Sequence, residues 1–194
     1  MRKQIANLTS SIFSPFLVAL VLIILVSFES MTSISQAIYW SLIMIALSVL
    51  PIYLVTVYLV RGGKIDSISI SIQQNRTKIY ILVITLGGVG LIILLYLNAP
   101  VILLALFATG LITSIIFMCI NFWWKISIHT AFIMASVAVL VILCGFEATA
   151  LSVLIPLVAW SRIELEHHSV WQVVSGGVLA TLILVGMFYL FGLL

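Results

Sequence analysis

Ser161-Arg162-Ile163-Glu164-Leu165-Glu166-His167-His168-Ser169-Val170-Trp171-Gln172 forms a short polar island in an otherwise apolar chain. It holds a guanidinium, two imidazoles and a hydroxyl at the edge of long hydrophobic runs. Ionisable groups beside a membrane are costly, so they are functional candidates by default. Arginine with histidine suits phosphate: a fork that grips the anion, and a ring nitrogen that attacks or carries a proton. Two more polar patches accompany it. One runs from Arg61 and Lys64 through Asp66 to Asn75, Arg76, Thr77 and Lys78. The other is Lys125-Ile126-Ser127-Ile128-His129. On a helix, Lys125 and His129 would share a face. Ser127 could bond a phosphate oxygen or a helix N-terminus, whose backbone N–H groups also attract anions. Together these groups meet the needs of phosphoryl transfer, where catalysis is mainly positioning and charge stabilisation.

The elements that must hold these patches are transmembrane helices. The chain has 194 residues, 64% hydrophobic and only 7% charged, too few charges to cover a water-soluble domain. Seven apolar segments are predicted, over 12–29, 37–60, 78–97, 99–120, 126–145, 148–160 and 170–194. The expected fold is therefore all-α, a polytopic bundle of about six to seven spans, in one domain over 1–194. The 148–160 segment is short; at ~1.5 Å per residue it covers only about 20 Å, so it must extend past its ends or re-enter. Pro51 and Pro156 should kink their helices. Asn98-Ala99-Pro100 should form a tight hairpin. Gly87, Gly88, Gly90, Gly176, Gly177 and Ala180 offer small faces for close helix approach. Cys119 and Cys144 lie in apolar runs and read as packing residues. The run after Arg2 and Lys3 reads as a retained first span.

Threading these spans puts Arg2, Lys3, Arg61, Lys64, Arg76, Lys78, Lys125 and Arg162 on one side, with all three histidines. Glu29 and Glu147 fall on the other. The positive-inside rule then makes the charged side cytoplasmic. Arg2, Lys3, Arg61 and Lys78 carry that inference, since the other charges would be needed at an active site in either orientation.

A family resemblance rests on these same residues. Ser161-Arg162, five residues, then His168 is similar to the third signature of the type-2 phosphatidic acid phosphatases, or lipid phosphate phosphatases: Ser-Arg, five residues, His, three residues, Asp. Ile126-Ser127-Ile128-His129 resembles the second signature, Pro-Ser-Gly-His, with Ser and His at the same spacing. The first signature, Lys, six residues, Arg-Pro, is matched loosely: eleven residues lie between Lys64 and Arg76, and Thr77 follows. The resemblance covers about residues 60–180 and is to divergent bacterial members, which implies a bacterial or archaeal cell membrane.

That resemblance implies a mechanism. His168 would attack phosphorus and form a phosphohistidine, and His129 would protonate the leaving oxygen. Arg162 and Arg76, with Lys64, Lys125, Ser127 and Ser161, would hold the phosphate. No metal and no cofactor would be needed; Asp66 is the only aspartate and the four glutamates are scattered, which disfavours a carboxylate-bound magnesium pair. Gln172 stands where the family has Asp. Its amide oxygen could orient the ring of His168 without adding charge, and Glu164 is the helical neighbour that could compensate.

Plainer readings accompany these. His129 could be a buried histidine bonding between helices, though its Lys125 neighbour and its spacing to the third motif favour function. Lys64 and Lys125 fit headgroup contact as well as phosphate binding. His167 reads as a spectator, Asp66 as a turn cap, and Trp123, Trp124, Trp160 and Trp171 as an aromatic belt. The expected activity is hydrolysis of a lipid phosphate monoester or diphosphate, of isoprenyl diphosphate or phosphatidate type, with the bilayer and no nucleic acid as partners. The alternative is a degenerate phosphatase that binds or carries a lipid phosphate. A prenyl transferase would need aspartate-rich magnesium motifs. A transporter would place its ionisable groups near the midplane.

Overall fold

The structure, a computed structural model, describes residues 1–65 and 73–194, the side chains at 73 and 74 excepted. Asp66 and its expected turn lie outside the described residues. Among the described residues the chain is helical and contains no strand.

Among the described residues nine α-helices follow in order: α1 Arg2–Ile12, α2 Pro15–Ser30, α3 Ile34–Leu47, α4 Val49–Arg61, α5 Gln73–Tyr96, α6 Val101–Asn121, α7 Ile128–Cys144, α8 Leu154–Glu164 and α9 Val170–Leu190. Five helical stretches among the described residues are long and apolar enough to cross a membrane: Ile34–Arg61, Asn75–Tyr96, Val101–Asn121, Phe146–Glu164 and Val170–Leu190. The pair α1–α2, bent by 42°, passes the same test when taken together, as a broken span or a re-entrant loop, and the 17 residues of α7 form a shorter apolar helix. The protein is an integral membrane bundle. Its outer surface carries large apolar side chains such as Leu42, Ile92 and Leu182, and its backbone polar groups are satisfied within helices, as a bilayer requires.

Local sequence sets the breaks. Ser14 caps α2 and Pro15 fills its first position, where a missing N–H costs nothing. Pro51 cannot bond the carbonyl of Leu47, so the second span breaks at Ser48 into α3 and α4. Pro156 sits at the change from a 3-10 stretch, Phe146–Val153, into α8. That stretch lengthens the short sixth segment to 19 residues, enough to cross. Asn98 takes a left-handed conformation (φ 52°) in the hairpin ahead of Pro100. The helix α1 is an addition to the segments read from sequence, which began at residue 12.

The expected small faces divide. A Cβ on Gly176 would lie 2.5 Å from the carbonyl oxygen of Ser127, and one on Gly177 would meet Met134. Helix α9 therefore presses on the start of α7. Gly90 does the same for α5 against Phe107 of α6, while Gly88 faces open space. Cys119 and Cys144 are free and exposed, so they face the surroundings and do not pack the core. The main core, including Leu22, Met44, Leu103, Val139, Leu184 and Phe188, fills one half of the bundle. A smaller cluster of Tyr80, Phe117, Ile126, Ala131 and Ala180 lies beneath the charged end.

Candidate active site

Four chain segments meet at the charged end. Helix α5 begins there with Arg76. Asn121 at the end of α6 donates to Thr77 (3.2 Å), tying α6 to that start. The extended residues 124–127 then lead into α7, whose N-cap is Ser127. The backbone N–H of Ser127 donates to the Gln172 carbonyl at 2.9 Å, which locks the start of α7 onto α9. The end of α8 brings Arg162, and the turn at 165–169 brings His167 and His168.

Arg76 and Arg162 are buried, 3% and 1% exposed, as are His129 (4%) and His168 (6%). Arg76 spans two partners. Its Nη1 donates to the Ile126 carbonyl at 2.9 Å and its Nη2 reaches Nε2 of His168 at 3.2 Å. The other ring nitrogen of His168, Nδ1, lies 3.2 Å from the carbonyl of Lys125. A guanidinium only donates and a carbonyl only accepts. The proton of His168 is therefore on Nδ1, and the lone pair of Nε2 is aimed at Arg76.

Burial pushes the pKa of His168 down to about 3, with the charges of Arg76, Arg162 and Lys125 acting in the same direction and the carbonyl of Lys125 opposing. The ring is neutral near pH 7. Burial and then the charge of Arg162 also lower His167. Arg162 donates to Ser10 Oγ of α1, yet its Nε has no partner. Nε2 of His129 is equally buried and unpartnered. His129 lies within electrostatic range of Arg162, His168 and Arg76. Buried polar atoms are nearly always satisfied, and a buried charge without a counter-ion is costly. Among the described residues Arg162 forms no ion pair. The centre formed by Arg76, His129, Arg162 and His168 thus has the polarity of a site for an anion.

Several expected roles change. Gln172 does not orient His168. Its side chain closes a capping box with Ser169, accepting from the Ser169 N–H at 3.0 Å, because the third position of a helix is where such an amide satisfies the N-cap. The orienting acceptor is the Lys125 carbonyl. Ser161 is buried, but its hydroxyl donates to Val158 within α8. Ser127 accepts from the Thr130 N–H as a cap (3.4 Å), so of its two expected partners it takes the helix N-terminus. Because Ser127 caps α7, Lys125 precedes the helix and does not share a helical face with His129. Its charge still acts on both His167 and His168. Lys64 is exposed and its Nζ sits 5.8 Å from the ring centre of Tyr58. Glu164 pairs with Arg2 at 3.0 Å and leaves His168 without it. Trp123 and Trp171 are exposed at this end, as a belt residue would be.

Three participants were invisible in the sequence. Backbone carbonyls of Lys125 and Ile126 carry no residue signature. Ser10 lies 152 positions from Arg162, on a helix outside the apolar segments read from sequence.

A cavity of about 310 Å³ opens at Arg76 and His129. It runs along α5 as far as Gly87 and along α7 as far as Val139, roughly 15 Å at the helical rise. Core residues Met44, Phe107 and Leu184 also line it. Its walls are almost wholly apolar. An anionic head at the four-residue centre would therefore have a hydrocarbon-lined space directly beneath it.

No family model, curated protein or solved structure matches the chain.

Proposed function

We propose that the protein is a membrane lipid phosphatase that removes a phosphate, from a monoester or a diphosphate, through a phosphohistidine and without a metal. The observation that carries this reading is the pair of unsatisfied buried atoms, Arg162 Nε and His129 Nε2, beside a neutral His168 whose Nε2 lone pair points at Arg76. A phosphoryl group inserted between them would accept from the guanidinium groups and present phosphorus to that lone pair. The apolar cavity gives the lipid tail somewhere to stay during the reaction.

The chemistry proceeds in two displacements. Nε2 of His168 bonds to phosphorus as the bond from phosphorus to the leaving oxygen breaks. His129 takes a proton from the bound phosphate group and gives it to that oxygen, which departs as the lipid alcohol or monophosphate. Water then attacks phosphorus as the bond to Nε2 of His168 breaks, its proton passes through His129 to the product, and inorganic phosphate leaves. Arg76 and Arg162 stabilise the equatorial oxygens, with Lys125 adding charge nearby; such fixed cations supply the main electrostatic term in this class of reaction. Isoprenyl diphosphates and phosphatidate-type lipids are the substrate classes. In this reading the site faces the cytoplasm of a bacterial or archaeal cell, which the lysine and arginine excess at this end supports through the positive-inside rule.

The test is a phosphate-release panel over isoprenyl diphosphate, phosphatidate and phosphatidylglycerol phosphate in excess chelator, with His168→Ala alongside. Release by the natural protein and none by the variant supports the reading. Release only after metal is added back would exclude it. A second reading, a binder or carrier without turnover, is favoured by one observation: among the described residues no carboxylate contacts His168. Tight binding of a lipid phosphate with no release would select it.

A further inference from the structure

We propose that the N-terminal helix α1 is part of the phosphate site and that Ser10 positions Arg162. This rests on the reading of Arg162 as a holder of the phosphate oxygens.

Three contacts join α1 to the segment that carries Arg162. Ser10 Oγ accepts from Arg162 Nη1, and both side chains are buried. Arg2 pairs with Glu164 at 3.0 Å and Lys3 with Glu166 at 2.8 Å. The buried stripe of α1 is Ala6, Thr9 and Ser10, and that of α8 is Val158, Ser161 and Arg162. Each has the i, i+3, i+4 spacing of one helix face, and the two helices pack together. Small residues let the backbones approach closely. Ile5, Leu8 and Ile12 face outward.

Ser10 departs from ordinary helical behaviour. A serine inside a helix commonly bonds the carbonyl four residues back, as Ser11 does to Asn7 at 2.9 Å. Ser10 meets a guanidinium instead. The two ion pairs join exposed groups, with Arg2 77% and Lys3 68% accessible. Pairs of that kind contribute little and are screened by salt. The buried hydrogen bond to a charged group is the stronger tie. With Nη1 held by Ser10, the guanidinium keeps Nε and Nη2 for the phosphate. Ser10 is thus a positioning residue that acts through Arg162, and α1 is a strap fixing the end of α8.

The experiment uses the full chain in lipid nanodiscs and reads two quantities: kcat/KM for phosphate release from a lipid phosphate, and equilibrium binding of orthovanadate. Ser10→Ala is expected to lower both by roughly tenfold to a hundredfold. Ser10→Thr should restore most of the loss, and Ser11→Ala should leave both unchanged. In an Arg162→Ala background, Ser10→Ala should add less than about twofold, since coupled residues are not additive. Wild-type values in Ser10→Ala would overturn the inference. So would a full additional loss in the Arg162→Ala background, which would make Ser10 a fold residue only. If the natural protein releases no phosphate but Ser10→Ala still weakens vanadate, the inference stands and the phosphatase reading falls. If vanadate binding is absent as well, both fall.

Discussion

Arg76 reaches across 92 positions of sequence to place Nη2 at 3.2 Å from Nε2 of His168, while its Nη1 is anchored on the Ile126 carbonyl. The side chain thus does two things at once. It fixes the extended segment before α7, and it marks where an anion would sit against the ring. Lysine is a point charge without the planar fork and cannot hold both positions. Arg76→Lys should lower kcat/KM for phosphate release by about 10²-fold, in the range seen when one donor to a developing oxyanion is lost. Steady-state kinetics on a lipid phosphate would check this; a loss under threefold would show that Arg76 does not touch the reacting group.

The ionisation of His168 gives a second expectation. Burial first, and then the charges of Arg76, Arg162 and Lys125, disfavour the imidazolium, so the folded pKa lies below the ordinary 6.5, at about 3. A lowered pKa means that the neutral, nucleophilic ring persists as pH falls. Ring-nitrogen chemical shifts of histidine-labelled protein should therefore show one residue, absent from His168→Ala, that does not titrate between about pH 5 and 7. A midpoint near 6.5 for that residue would contradict the burial and charge described above.

The close approach of α9 to the start of α7 is testable by one methyl group. A Cβ at Gly176 would stand 2.5 Å from the carbonyl oxygen of Ser127 and 3.1 Å from its nitrogen, both backbone atoms. Gly176→Ala must push the two helices apart and strain the Ser127–Gln172 backbone bond. We expect a loss of about 1–3 kcal/mol, as for other overpacked sites, together with reduced activity. Thermal unfolding in detergent would measure the first. Gly186, where an added Cβ meets nothing within 4 Å, is the control position for Ala.

Gln172 separates the family-based expectation from the observed geometry. If its amide oriented the nucleophile, Gln172→Ala would remove most activity. In the capping box it serves the first turn of α9, where losing a cap typically costs about 1 kcal/mol. Gln172→Ala should lower stability by that order and change turnover by less than about tenfold. A loss as deep as that of His168→Ala would restore the orienting role.

Much of the architecture was legible because hydropathy and helix punctuation are local. Seven apolar runs became helical segments, and Pro51, Pro156 and Asn98-Ala99-Pro100 fell at the breaks expected of them. Helix α1 was missed because its residues, from Arg2 to Ile12, are too polar to register as a span and too short to show as a helix by themselves. At the charged end, residue type led to Arg76, His129, Arg162 and His168, since only these chemistries justify burial beside a bilayer. Assignments that depended on side-chain direction fared less well. Gln172 and Ser161 each had a nearer backbone partner, and Ser127 took the helix N-terminus of its two expected partners, since small polar residues at helix ends take such partners first. The carbonyls of Lys125 and Ile126 could not have been read, because every residue has one.

The most direct measurement is to mix the purified protein with a phosphorus-radiolabelled lipid phosphate in excess chelator, quench within milliseconds, and look for acid-labile, base-stable label on the chain. Label on residue 168, absent from His168→Ala and lost as inorganic phosphate appears, is the expected result. Phosphate release that continues in His168→Ala, or a protein that binds the lipid and releases nothing, would contradict the proposed chemistry.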